Sequence, residues 1–259
     1  MNNIELKIFN NIIIKLDYQL PQDIPQSDIF IADIAGKDSI AALIRVLDDK
    51  ASAVIVPSVI DLACEYGDKN QYYKVLSNLN KKFNKEKRRI LPGIISYAND
   101  FWQALASGHI QESIKLYGFY SPCIACHLVM HIIRIKIASY LGLQNVISGE
   151  RELHANREKI NQLGFVVDFY NSLYTAMHVK HHLPLRFINN NDEINKVIDS
   201  NDVIYNQLNC LFTGNYYQKG TAAFAIDMNR VREYLTDYLP LQLNSNKTEI
   251  NVICKVVDL

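Results

Sequence analysis

The chain has 259 residues, 49% of them hydrophobic and 21% charged, with 27 Lys plus Arg against 27 Asp plus Glu and a formal net charge of zero. This fits a globular protein with a sizeable core, as one large domain or a domain with an appendage, and excludes a global field that would draw the chain to nucleic acid or an anionic membrane. Five cysteines without a secretory signal pattern read as core thiols, metal ligands or redox groups rather than a disulfide framework. No apolar run is expected to reach bilayer-spanning length, so the expected compartment is the cytoplasm, with no membrane partner.

In chain order, residues 1–20 carry two strand-like runs, 4–9 and 12–16, which predict a hairpin or an extension. From residue 28 the pattern alternates: strand 29–33, helix 39–49, strand 53–56, helix 70–84, strand 90–96, helix 100–107, helix 122–141 and strand 145–147. Strands alternating with helices predict an α/β fold, a parallel sheet with helices on both faces. Past Gly149 the pattern weakens to a strand at 183–188, a helix at 192–199, a loop near 220–224, a helix at 227–238 and a strand at 250–257. The expected organisation is an N-terminal extension (1–27), a main domain (28–200) and a C-terminal appendage that completes the site (201–259).

The densest signal is Ile34-Ala35-Gly36-Lys37-Asp38-Ser39, a small-residue turn between a strand and a helix. Free N–H groups and the helix dipole make such a turn an anion site. It is neither a Gly-x-x-x-x-Gly-Lys-Ser/Thr loop nor a Gly-x-Gly-x-x-Gly loop. It resembles the Ser-Gly-Gly-x-Asp-Ser loop of the PP-loop ATP pyrophosphatases, with Ile34 and Ala35 in place of the first Ser and Gly. The alternative is an ordinary turn with a Ser cap.

Cys123-Ile124-Ala125-Cys126 opens the long helix behind Ser121-Pro122, where the helix dipole is expected to lower thiol pKa values and favour thiolates. Followed by Leu141-Gly142 and a strand ending at Gly149, the block is similar to the iron–sulfur-dependent PP-loop tRNA thiolases. So are Leu183-Pro184-Leu185-Arg186 and the later Cys210 followed by Gly214. That resemblance implies a Rossmann-like PP-loop fold, ATP and Mg²⁺ at Ala35, Gly36, Lys37, Asp38 and Ser39, and a [4Fe–4S] cluster on Cys123, Cys126 and Cys210. Asp38, Cys123 and Cys126 would be catalytic. A persulfide relay, a zinc site or inert thiols are the alternatives for the cysteines. Cys64 and Cys254 are read as core packing.

Gly149, Glu150 and Arg151 follow a strand end and are expected at the same crevice. Glu150 and Glu152 are candidate Mg²⁺ ligands and Arg151 or Arg157 phosphate partners, with Lys159 and Gln162 on a continuing helix; the alternative is an exposed helix start. The run 81–89 is the one dense basic stretch, a local tRNA patch or a solvated helix end. His178, His181 and His182 are read as loop or core histidines before metal ligands, and Tyr216 and Tyr217 as base-stacking candidates. The expected function is ATP-dependent adenylation of a carbonyl followed by sulfur transfer, on a tRNA base, with a separate sulfur donor and room for a homodimer. The alternatives are a small-molecule substrate with a persulfide or amine donor, and a catalytically silent nucleotide-binding protein.

Overall fold

A computed structural model describes residues 7–85, 87, 89–119, 122–154, 157–199, 208–212, 216–218, 227–245 and 249–258. Seven strands form the main sheet: β1 (Ile12–Lys15), β2 (Ile29–Asp33), β3 (Val54–Asp61), β4 (Gly93–Tyr97), β5 (Asn145–Ile147), β6 (Lys180–His182) and β7 (Ile250–Val257). Their spatial order is β1-β7-β4-β3-β2-β5-β6. From β4 through β3, β2 and β5 to β6 every pairing is parallel. β7 runs antiparallel to β4, and β1 lies parallel to β7. The two terminal segments therefore extend the same sheet at one edge.

The helices around the sheet are α1 (Lys37–Asp49), α2 (Asn70–Phe83), α3 (Asn99–Leu105), α4 (Ile110–Tyr117), α5 (Pro122–Leu141), α6 (Gly164–Ala176) and α7 (Asn191–Asp199). From β2 the chain moves outward through β3 and β4, then returns to the other side of β2 to lay down β5 and β6. Crossovers of one hand that run in opposite directions put their helices on opposite faces. The core divides accordingly. Ile29 and Ile31 of β2 pack with Ile124, Leu128 and Ile132 of α5 and Val166 of α6. Phe30 and Ala32 pack with Ile40, Leu43 and Ile44 of α1 and Val75 and Leu76 of α2. Alternate residues of one buried strand thus feed two cores, which is why β2 is apolar without a break. The strand order reverses between β2 and β5, and in such sheets ligands usually sit beyond the carboxyl ends of the strands at that point.

Four expectations change. Residues 7–11 form a short helix rather than the end of a strand, and residues 1–6 lie outside the described residues. The late parallel strand is β6, residues 180–182, and 183–188 is a chain of turns with Arg186 N–H on Leu183 O and Ile188 N–H on Leu185 O. Pro184 explains this, since it has no N–H to give a ladder. The segment 227–238 is a helix to Glu233 and then a π-helical turn, Tyr234–Tyr238. Finally, α5 is long and apolar enough by composition to cross a membrane, contrary to expectation. Most of it is buried in the fold, where it carries His131 and Arg134 in the interior.

Gly149, just past β5, lies against the first turn of α1. A Cβ built there would stand 2.3 Å from the Ser39 nitrogen and 2.5 Å from the Asp38 carbonyl carbon. Both neighbours are backbone, so neither can step aside. Gly149→Ala is therefore expected to cost on the order of 1–3 kcal/mol by overpacking, read as a lower urea midpoint at unchanged slope. Gly118→Ala, where a Cβ meets nothing within 4 Å but φ is +73°, should show only the smaller cost of left-handed backbone.

Candidate functional site

The turn after β2 is folded around one hydroxyl. Ser39 Oγ accepts the N–H groups of Ala35 and Gly36, each at 3.0 Å, and donates to Gly36 O at 2.7 Å. The Gly36 N–H and the Ser39 hydroxyl, which the resemblance implies would meet phosphate, are thus bonded within the turn and hold its shape. Lys37 reaches Asn195 Oδ1 of α7 at 3.5 Å. The next N–H groups of the first turn of α1 have no carbonyl one turn back to bond.

Asp38 faces Arg151, with Oδ2 3.5 Å from Nε and side chains 15% and 2% exposed. The pairing leaves polar capacity unused. Asp38 Oδ1 and Arg151 Nε and Nη1 are buried without a hydrogen-bond partner. Arg151 Nη2 donates to Asn191 Oδ1 at 2.6 Å and to His154 Nδ1 at 3.1 Å.

From Arg151 the polar contacts run inward without a break. His154 Nε2 meets Gln162 Oε1 at 2.7 Å, and Gln162 Nε2 donates to Glu150 Oε2 at 2.6 Å. Glu150 Oε1 lies 2.8 Å from His127 Nδ1 and 3.2 Å from His131 Nε2, and His131 Nδ1 meets the Tyr174 hydroxyl at 2.9 Å. Burial pushes the Glu150 carboxyl up, but the His127 charge and the two imidazole hydrogen bonds more than reverse this and hold it well below the usual range. Burial also lowers His131, keeping it neutral. Next on α5, Arg134 pairs with Asp33 at the end of β2, both buried.

Glu150 and Arg151 are thus interior residues, which removes the alternative of an exposed helix start, and the helix expected to carry Lys159 and Gln162 is replaced by a short strand at 157–159 and a 3₁₀ turn at 160–162. Glu152 pairs with Arg186, which also holds Asp168 at 2.6 Å, so it is bound away from Asp38. The side chain of Arg157 lies outside what is described.

Cys64, Cys126 and Cys210 come together near the start of α5, with Cys123 one turn before Cys126 on the same helix. A two-stranded ribbon pairs Glu65 with Cys210 and Tyr66 with Asn209, bringing Cys210 beside Cys64. Cys64 Sγ is 3.8 Å from Cys126 Sγ, and Cys123 Sγ is 3.8 Å from Phe212 O. Cys64, read from the sequence as packing alone, belongs to this group, whereas Cys254 sits elsewhere, 3.2 Å from Ser96 Oγ. All five are free. The expected lowering of thiol pKa values fails at Cys123, which burial pushes up to about 12. Cys64 is raised first by its contact with Cys126, and Cys210 first by its contact with Cys64.

The remaining candidates lie apart. Arg89 of the basic run donates to the carbonyls of Leu47 at 2.7 Å, Lys50 at 2.8 Å and Ala53 at 3.2 Å, closing the end of α1. The run therefore sits at the amino ends of the parallel strands, opposite the turn after β2; Glu86 and Arg88 lie outside the described residues. His178 is exposed with φ 55°, while His181 and His182 alternate along β6 and face opposite sides, so no two share a helix face. His181 stacks on Tyr174, and His182 meets Phe30 edge-on. Tyr216 and Tyr217 pair through their backbone with Lys159 and Glu158; their side chains, and Gly214, lie outside the described residues. Sequence reasoning passed over His127 and His131, although His-x-x-x-His is visible directly behind Cys-x-x-Cys.

His154 is held at about 4 by burial and by the charges of Lys159 and Arg151, and His182 at about 4 by burial and by Lys180 and Lys50, against an ordinary 6.5. The unfolded chain takes up these protons first as pH falls. The stability they contribute is complete above pH 6.5 and is lost between 6.5 and about 4. Urea midpoints measured across that range should fall with pH, and His182→Gln should flatten the slope.

No family model matches the chain. Over 195 residues it is 33% identical to the uncharacterized protein MJ0009 of Methanocaldococcus jannaschii, a match that covers 74% of this chain and 70% of that protein. That likeness brings no activity with it. At that identity and coverage, the chain belongs to the same family as MJ0009.

Proposed function

We propose that the protein is a PP-loop ATP pyrophosphatase that adenylates a carbonyl and passes sulfur to it. The observation that carries this reading is the pairing of partly buried Asp38 with buried Arg151 at the start of α1, beside the point where strand order reverses, with three buried polar atoms unspent. Buried polar groups without partners are expensive. Triphosphate oxygens would satisfy Arg151, and a Mg²⁺ ion held by those oxygens would satisfy Asp38.

In the first step the substrate's carbonyl oxygen attacks the α-phosphorus of ATP, forming a C–O–P bond as pyrophosphate leaves. A sulfur nucleophile then adds to the same carbon, and AMP departs with the oxygen. Arg151 would neutralise the leaving pyrophosphate, and Asn191 and His154 fix its guanidinium plane. Lys37, at the mouth of the turn, would steer the outer phosphates.

Cys123, Cys126 and Cys210 would hold a [4Fe–4S] cluster, with Cys64 against Cys126. When bound, that cluster would present sulfur through an iron not ligated by protein. Thiolate sulfur is the donor type of a soft metal, but among the described residues no three of these sulfurs lie within 4.8 Å of one another, so the thiols would have to rearrange to close on a cluster. Free, these thiols are poor nucleophiles, because Cys64, Cys123 and Cys210 are all raised above the ordinary thiol range; coordination is what removes such protons. This speaks against a bare persulfide relay and leaves metal-held thiolates or inert core thiols.

Cytoplasmic location and a tRNA base as substrate belong to the same proposal by resemblance. One observation favours a small carbonyl compound instead: the dense basic run lies at the end of the sheet opposite the turn after β2.

Asp38→Asn should weaken Mg-ATP binding by about 10–100-fold, the worth of one or two charge-assisted contacts, read by nucleotide titration. Protein purified without air should carry about four iron and four sulfide per chain, lost in Cys123→Ser and kept in Cys254→Ser. Unchanged nucleotide affinity in both Asp38→Asn and Arg151→Gln would remove the phosphate site. Iron that survives Cys123→Ser would remove the ligand set.

A further inference from the structure

Cys123, His127 and His131 follow one another at intervals of four along α5, so they share one stripe of the helix. The thiol group occupies its start; the two imidazoles, one and two turns on, meet a different partner. We propose that His127, His131 and Glu150 bind a divalent first-row transition ion of the zinc class, at a site separate from the thiols. This inference needs neither nucleotide nor the adenylation reading.

The donor atoms are already in place. His127 Nδ1 and His131 Nε2 stand 2.8 and 3.2 Å from the same Glu150 oxygen, and the three donors lie within 4.8 Å of one another. Zinc binds imidazole nitrogen and carboxylate oxygen at roughly 2.0–2.2 Å, so two ligands at tetrahedral or octahedral angles stand about 3.0–3.5 Å apart. Both nitrogen–oxygen distances are already close to this spacing, and bringing the two imidazole nitrogens to the same spacing would seat the ion. The set of two nitrogens and one oxygen suits zinc, cobalt(II), iron(II) or manganese(II), and three protein ligands leave coordination positions open.

The supporting groups are those that metal sites use. Metal-bound imidazoles give their second nitrogen to a fixed partner, and metal-bound carboxylates are themselves hydrogen-bonded. His131 Nδ1 has the Tyr174 hydroxyl at 2.9 Å, and Glu150 Oε2 has Gln162 Nε2 at 2.6 Å. Gln162 is oriented in turn by His154 and Arg151. Without metal, Tyr174 donates to Nδ1, and the Nε2 proton of His131 faces Glu150. With metal on Nε2, the proton moves to Nδ1 and the tyrosine oxygen accepts it. A hydroxyl does either, so the exchange of tautomer costs no hydrogen bond. His127, 26% exposed, is the side from which an ion can arrive, while Glu150 and His131 are buried. The open positions would take water or a substrate oxygen and polarise it.

The test is metal titration of the whole, chelator-stripped protein carrying Cys123→Ser and Cys126→Ser, which removes the thiols as a competing metal site. One equivalent of Zn²⁺ should bind and raise the melting temperature. Co²⁺ in its place should give the weak ligand-field bands of a nitrogen and oxygen set, without thiolate-to-cobalt charge transfer. Tyr174→Phe should reduce affinity on the order of tenfold, and Glu150→Gln and His131→Gln should abolish that equivalent. Failure to bind either ion overturns the proposal. So does a cobalt spectrum dominated by charge transfer from sulfur, or retention in Glu150→Gln. If His131→Gln does not fold, the cobalt spectrum of the Cys123→Ser, Cys126→Ser protein decides by itself. Loss of nucleotide binding with metal binding intact would count against the pyrophosphatase reading alone.

Discussion

Placing Glu150 and Arg151 side by side in the interior is the constraint around which the rest of the site is arranged. Each is almost fully buried, and an unpaired charge at that depth would shift its protonation or unfold the segment. The fold answers with oppositely charged or polar partners on both sides: two imidazoles and an amide for the carboxylate, and a carboxylate, an amide and an imidazole for the guanidinium. These partners come from α1, α5, α7 and the loop after β5. One short stretch of chain therefore ties together elements from both faces of the sheet. Gly149 belongs to the same constraint, because only a residue without a side chain lets this stretch pass against the first turn of α1.

α5 carries the arrangement along its length. Its aliphatic residues Ile124, Leu128 and Ile132 fill the core against β2 and α6, while another stripe presents a thiol, two imidazoles and, three residues on, the Arg134 guanidinium that closes on Asp33. A helix with chemistry on one side and core on the other is usually amphipathic and half exposed. Here both sides are buried, so the polar stripe has to be satisfied by other protein groups. This explains why the imidazoles, the carboxylate and Tyr174 form one continuous set of contacts.

Legibility in the sequence followed the strength of local signals. The ends of α5, β5 and β7 were readable because Pro122 opens a helix, Gly142 follows one, and the strands are compact β-branched runs. The strand at 183–188 was misread because its apolar residues outweighed Pro184. Glu150 and Arg151 were readable as crevice residues from their place after a strand; their burial was not, because consecutive charges look solvated until partners forty or a hundred positions away are known. Cys64 was assigned to packing for the same reason: the ribbon that brings Cys210 beside it is a long-range pairing of two residues with two, too short to leave a pattern.

The departures in the phosphate turn have a physical reading within this fold. Ile34, where the PP-loop pattern has a Ser, is 1% exposed and packed in the core shared with α1, so that position serves as an anchor. The hydroxyl that shapes the turn comes from Ser39, on its far side. Under the proposed reading, Arg151, 3.5 Å from Asp38, would take the part that free hydroxyls and glycines play in the PP-loop pattern. A fixed guanidinium with idle N–H groups attracts an anion more strongly than a hydroxyl does. The loop after β5 and the turn after β2 are locked in register by the contact of Gly149 with Ser39, so a nucleotide bound as proposed would depend on both.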